Sequence, residues 1–329
     1  MKTCLTTHDL QIGYSKEKPL GNAIDLELLD GELVCLLGPN GAGKSTLIQT
    51  LVGKIPAISG SVKLLGKSIV DYTQIELAKS LSMMNTERLN IEYIKVIEVV
   101  QMGRYPHQHW LYGGKMLDDE LLDDVMASME VLQFKDRFYN TLSDGEKQRV
   151  LIARSLAQDT KVLFFDEPTS FLDITHKVEC LHLLREWARK KSKAVVLSTH
   201  DFDLAIHLAD CIWFFDKHSS FYSGSPEDLM LKGVFANCFN NENIAINPNT
   251  GGLQVLTHSK EPLRVQGEQG LKRKWLEKAL VRAGYKIDND ERSSKVVLVE
   301  ENGFIYEDAN RKEEASSILE ILREIEKSS

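Results

Sequence analysis

Apolar positions along this chain follow two rhythms. Unbroken runs of four or five occur at Leu33–Leu37 (LVCLL), Val162–Phe165 (VLFF) and residues 194–197 (AVVL), and each gives way to a polar loop or a helix-like stretch. Short runs apolar at every position mark strands buried on both faces, so the pattern predicts an α/β sheet with a parallel centre. Residues 4–14, CLTTHDLQIGY, alternate instead, as an antiparallel strand near a sheet edge does. Between residues 71 and 135 the spacing turns helical, with amphipathic stretches at 93–102 and 118–132. This predicts a helical subdomain inserted into the sheet domain, over about residues 88–160. At 224–230, GSPEDLM supplies a turn, a Ser cap, Pro at the first helical position and acidic residues in the first turn. The main domain is expected to close near residue 240, giving a first domain of 1–240.

A turn-rich connector, NNENIAINPNTGG, follows, and alternation resumes at LQVL and KVVLVE. Two helical stripes intervene, Leu271, Trp275, Ala279 and Leu280 in one and Ile318, Ile321, Leu322 and Ile325 in the other. Residues 241–329 are therefore expected to form a small α+β domain, of a size that folds alone only marginally.

Composition narrows the setting. The chain has 329 residues, 43% of them hydrophobic, enough for a sizeable core. Lys and Arg number 40 against 48 Asp and Glu, a net charge of -8 that argues against nucleic acid or an anionic membrane surface as the main partner. Cys4, Cys35, Cys180, Cys211 and Cys238 are scattered without a CxxC pair, and read as reduced packing residues of a cytosolic protein. The opening MKTCLTTHDL lacks the apolar stretch of a secretion signal, and no apolar run approaches the ~20 residues needed to span a bilayer. Any membrane connection is expected to run through a partner.

The most specific chemistry is GPNGAGKST, comprising Gly38, Pro39, Asn40, Gly41, Ala42, Gly43, Lys44, Ser45 and Thr46, between a strand-like and a helix-like run. It fits GxxxxGK[ST] in the strand-loop-helix context that motif requires. Glycines let backbone N–H groups turn towards one point, and the helix N-terminus adds its positive dipole end. The site is expected to take a nucleoside triphosphate, with Lys44 on the β- and γ-phosphates, Ser45 on Mg²⁺ and Thr46 adding contacts.

VLFFDEP then delivers Asp166 and Glu167 at a strand's carboxyl end, where open α/β sheets bind ligands. Asp166 is a candidate Mg²⁺ ligand through water, and Glu167 a candidate general base for the attacking water. VVLSTHD brings His200 and Asp201 from another strand end, with His200 placed to sense the γ-phosphate.

Taken in order, GPNGAGKST, LSDGE at 142–146, VLFFDE, SFLD at 170–173 and STHD resemble the ATP-binding cassette family over residues 1 to about 240. The resemblance implies a P-loop cassette fold, a mixed α/β sheet core with an antiparallel edge and a helical subdomain. It also implies ATP hydrolysis with Mg²⁺ by a homodimer packed head to tail. LSDGE is similar to that family's signature loop, LSGGQ, which caps the ATP of the other subunit. Ser143 and Gly145 would then meet a γ-phosphate across the interface, while Asp144 and Glu146 stand where the family has Gly and Gln. Tyr14 matches the aromatic that stacks on adenine, the alternative being a buried edge-strand tyrosine. Asp173 would communicate between the two sites. The family's usual Mg²⁺-touching Gln is replaced by Thr86, a candidate metal ligand, with Glu87 beside it.

MGRYPHQHW at 102–110 and DEPTSFLDITHKVE resemble the branch that imports iron-siderophore complexes, haem and cobalamin. That resemblance implies a separate integral-membrane permease, a substrate-binding protein and a place on the inner, cytoplasmic face of the membrane. His107 and His109 read as a polar loop rather than a metal site, for want of a third ligand. The C-terminal domain lies outside the resemblance, and supports the homodimer or senses a ligand. The competing readings are a cassette ATPase of iron-sulfur cluster assembly and a nucleotide-binding regulator without hydrolysis.

Overall fold

The computed structural model describes residues 1–15, 18–84, 93–107, 119–170, 172–240, 244–247, 251–255, 260–288 and 295–327. The chain divides into two compact units, Met1–Val234 and Phe235–Ser329.

In the first unit the three apolar runs lie side by side in a six-stranded sheet. Its order is Phe221–Gly224, Cys211–Phe215, Leu33–Leu37, Ala194–Ser198, Val162–Phe165, Leu81–Met84. All neighbours are parallel except the first pair. Every residue of Leu33–Leu37, Val162–Phe165 and Ala194–Ser198 is buried, which is why these strands carry no alternation. The third strand runs one residue past its apolar run, to Ser198.

The alternating N-terminal stretch is strand Thr3–Ser15, antiparallel as expected, but it lies inside a second sheet rather than at the margin of the first. It pairs with Lys18–Ile24 and Glu27–Leu29, and with Ser59–Leu64. Helix Lys44–Leu51 contributes Leu47, Ile48 and Leu51 to a core shared with Leu5, Leu10 and Ile12 of this sheet and Val34, Leu36, Phe164, Trp213 and Phe215 of the other. Full burial of each such large side chain is worth about 2 kcal/mol. The helix that begins at the phosphate loop is thus clamped by both sheets.

The described residues between 93 and 160 are mostly helical, with helices Val96–Gln101, Asp119–Ser128 and Asp144–Ala157 and short 3₁₀ turns. The spacing gave no sign of strand Leu81–Met84, which borrows its pairing from Val162–Phe165.

The second unit has a five-stranded sheet ordered Tyr285–Ile287, Lys260–Gly267, Val296–Val299, Phe304–Glu307, Lys312–Ala315. Helices Leu271–Arg282 and Ile318–Glu326 supply Leu276, Ala279, Leu280 and Ile321, Leu322, Ile325 to its core. The first stripe is shifted from expectation: Leu271 and Trp275 are exposed, and Leu276 holds the central place. No helix among the described residues is long and apolar enough to cross a membrane.

Candidate nucleotide-binding site

The chain leaves strand Leu33–Leu37 through Gly38, Pro39, Asn40, Gly41, Ala42 and Gly43 and enters helix Lys44–Leu51. At Gly38, φ is 152° and a Cβ would stand 2.9 Å from the carbonyl oxygen of Phe215, so only glycine fits. Gly43 is the N-cap at φ 113°, and no side chain caps the helix. Its first N–H groups therefore open into the loop with the positive end of the helix dipole behind them, an arrangement that draws anions.

Lys44 is only 7% exposed. Its Nζ donates to the carbonyl oxygens of Gly38 and Pro39 at 2.7 and 3.1 Å. Burial pulls its pKa below the ordinary lysine value, and the negative charges of Glu167 and Asp166 oppose that pull. A buried ammonium on two neutral carbonyls is under-compensated, and phosphate oxygens would supply the missing charge. Ser45 is exposed beside it, while Thr46 is buried and its Oγ1 lies 3.5 Å from the Tyr14 hydroxyl. Tyr14 is 76% exposed, which excludes the buried edge-strand alternative and leaves the ring open to stack on a flat base.

The carboxylates come from the end of the strand two places away in the same sheet. Ser198 lies between them. Its hydroxyl donates to Asp166 Oδ1 at 2.6 Å and accepts the Glu167 backbone N–H at 2.8 Å. Glu167 has φ 50°, a left-handed conformation that costs a non-glycine residue on the order of 1 kcal/mol or more. It turns the side chain to His200, whose Nε2 is 2.6 Å from Glu167 Oε1. Glu167, Thr169, Ser170, Lys177, Thr199, His200 and Asp201 line a cleft, with Asp201 tied to Lys177 Nζ at 2.7 Å. The Ser45 hydroxyl and the Asp166 carboxylate are hard oxygen donors, a set that suits Mg²⁺. Thr86, Glu87 and His109 lie outside the described residues. His107 ends the 3₁₀ segment Met102–His107, and its Nε2 is 2.9 Å from the Gln158 carbonyl oxygen.

Among the described residues, no hydrogen bond joins Ser143 or Gly145 to the phosphate loop. Ser143 caps helix Asp144–Ala157 in a reciprocal box: its N–H and Oγ donate to Glu146 Oε2 at 2.7 and 2.8 Å. The Ser143 N–H and then its hydroxyl hold the Glu146 carboxyl below its ordinary pKa, with Arg137 and Arg149 adding to the effect. The Glu146 charge is thus turned back onto its own cap. Gly145 faces the His176 ring, where a Cβ would come within 3.1 Å. His176 in turn gives its N–H to Asp173 Oδ1 at 3.0 Å and places Nδ1 2.8 Å from Oδ2. The sequence pattern had singled out Asp173 and Gly145 separately, but not the ring that joins them. Nor had it marked Ser198, whose signal was a polar residue ending an apolar run.

Comparison with known proteins gives the family. Residues 22–170 match the ABC transporter family and residues 260–326 the Iron ABC transporter C-terminal domain, so the segment that carried no resemblance in the motif reading has a family of its own. An uncharacterised ABC transporter ATP-binding protein of Methanocaldococcus jannaschii is 37% identical, over 70% of this chain and 79% of that protein. The achromobactin transport ATP-binding protein of Dickeya dadantii is 33% identical, over 72% of this chain and 88% of that protein. A solved inward-facing structure described as a metal-chelate type ABC transporter superposes with TM-score 0.60 at 26% identity, over 69% of this chain and 85% of that one. With a phosphate loop, paired carboxylates and a histidine assembled at one sheet edge, and relatives matched over most of their length, this chain belongs to the ABC transporter ATP-binding proteins.

Proposed function

We propose that the chain is the ATP-hydrolysing subunit of an importer for a metal chelate of the iron-siderophore, haem or cobalamin kind. The observation that carries the hydrolytic part is the Glu167–His200 pair at 2.6 Å, on the same sheet edge as the buried Lys44. The chelate cargo is supported by the achromobactin relative and by the match of residues 260–326 to an iron-transporter domain.

In this reading Tyr14 stacks on adenine, and backbone N–H groups of Asn40 to Thr46 with the Lys44 ammonium hold the triphosphate. Ser45 and Asp166 would hold Mg²⁺, which would offset charge on the phosphate oxygens. Glu167 takes a proton from the attacking water, and His200 orients Glu167 and the γ-phosphate. Ser143 and Gly145 cap the ATP of a second copy, so the working unit is a homodimer. Residues 1–240 act as the cassette and 241–329 as an appended domain. The dimer sits on the cytoplasmic face of the membrane against a permease fed by a substrate-binding protein, and nucleic acid has no part in it.

Two measurements test this. Glu167→Gln is expected to keep ATP affinity, abolish turnover and accumulate an ATP-bound dimer in size-exclusion chromatography; turnover at the parent rate removes Glu167 from its role. Purification from gently solubilised membranes is expected to recover a multi-helix permease, and recovery with soluble partners alone would sink the transport reading.

A further inference from the structure

The hydroxyl of Ser198 joins the two carboxylate residues, and nothing in the site described so far requires a polar group there. Every other residue of strand Ala194–Ser198 is apolar, and Ser198 has 0% exposure. A serine hydroxyl carries one proton. Asp166 Oδ1 at 2.6 Å accepts it, and the Glu167 N–H at 2.8 Å is a donor, so both roles of the hydroxyl are fixed by its partners. The Asp166 carboxylate is thereby oriented by a neutral donor that leaves its charge intact. Glu167, at φ 50°, is held by its N–H in a backbone conformation that side chains disfavour, and that conformation aims its carboxylate at His200.

We infer that Ser198 is a positioning residue for hydrolysis, setting the metal-facing carboxylate of Asp166 and the water-facing carboxylate of Glu167 with a single buried hydroxyl. It touches neither nucleotide nor water itself. The inference rests on the roles proposed for Asp166 and Glu167.

The test uses the full chain and an isosteric pair, Ser198→Thr and Ser198→Val, which differ by a hydroxyl against a methyl. Any packing cost of the larger side chain falls on both. Turnover at saturating ATP is expected to be at least about tenfold lower in the Val than in the Thr variant, with KM for ATP within about twofold. A second readout avoids turnover: in a Glu167→Gln background, calorimetry gives ATP affinity with and without Mg²⁺. The Val variant should keep the Mg²⁺-free affinity and lose most of the gain that Mg²⁺ confers, whereas the Thr variant keeps both. A residue that merely supports the fold would weaken the Mg²⁺-free affinity as well. Equal turnover and equal Mg²⁺ gain in the two variants overturns the inference. If Asp166→Asn and Glu167→Gln themselves hydrolyse at the parent rate, the underlying assignment fails; if they are inactive while Thr and Val behave alike, only the role of Ser198 falls.

Discussion

Gly103 offers a perturbation whose size follows from distances. It lies in the 3₁₀ segment Met102–His107, packed on the carboxyl-terminal end of helix Asp144–Ala157, the helix whose other end carries Ser143 and Gly145. A Cβ at Gly103 would stand 2.0 Å from the carbonyl oxygen of Arg154 and 3.1 Å from the Cβ of Ala157. A carbon and a carbonyl oxygen come no nearer than about 3.3 Å in ordinary contact, so Gly103→Ala must open the seam by roughly 1 Å. If the seam holds, overpacking costs about 1–3 kcal/mol. If the segment lifts instead, it loses the Arg104 Nη1 bond to the Ala157 oxygen at 3.0 Å and the His107 contact with Gln158 at 2.9 Å. Two such bonds contribute about 1–3 kcal/mol together. Both routes centre near 2 kcal/mol, a factor of about 30 in the opening equilibrium. Hydrogen exchange read by mass spectrometry should show the amides of 102–105 and 107 and of the last turn of that helix exchanging about 30-fold faster, with strand Leu33–Leu37 unchanged. Parent-like protection in the variant refutes the close approach of Gly103 to the Arg154 carbonyl.

Three further outcomes are expected. Because Ser143 lowers the Glu146 pKa from its ordinary 4.5, the cap contributes stability above that value and loses it as pH falls through the folded-state pKa. Glu146→Gln should therefore melt below the parent at neutral pH, with the gap closing in acid; a gap that widens contradicts the sign. Asp210 accepts the Leu33 N–H at 3.0 Å and the guanidinium groups of Arg185 and Arg189 at 2.9 and 2.6 Å, which together overcome the burial that raises its pKa and lower it. Asp210→Asn should cost about 1–3 kcal/mol in urea unfolding, since Leu33 starts the strand that ends at the phosphate loop, and an unchanged midpoint refutes this. Burial pushes the thiols of Cys35 and Cys180 up to about 12 and of the partly buried Cys211 up to about 11, so all three should resist iodoacetamide at pH 8 until the protein is unfolded; labelling of the native protein, mapped by mass spectrometry, would contradict this.

The parts of the fold legible in the sequence were those whose signal is local. Leu33–Leu37, Val162–Phe165 and the run before Ser198 announce themselves because burial on both faces leaves them apolar at every position. Leu81–Met84 does not, since LSMM holds a polar residue and no β-branched one, and its strand character comes from register with Val162–Phe165. The stripe of Leu271–Arg282 misleads for a related reason. Leu271 and Trp275 keep helical spacing with Ala279, but the core beneath is centred on Leu276 and Leu280, so both point away from it. Which turn of a helix faces a sheet is settled by the sheet.

The site divides along the same line. Gly38 to Thr46 are legible because a loop that turns its amides to one point needs its glycines and lysine at fixed intervals, and chemistry confined to nine neighbouring residues leaves a fixed spacing. Ser198 lies more than thirty residues from Glu167, and only the pairing of Val162–Phe165 with Ala194–Ser198 brings them together. His176 meets Gly145 in the same way, across a separation no spacing rule covers. In the proposed function the residues assigned to the nucleotide are prescribed by local backbone geometry, whereas the groups that bond or pack against the other site residues, Ser198 at Asp166 and Glu167 and His176 between Gly145 and Asp173, are supplied by whichever neighbour the fold brings alongside. Substituting the first kind should remove binding or chemistry outright. Substituting the second should leave the nucleotide bound and the reacting groups misdirected, so turnover falls while affinity stays.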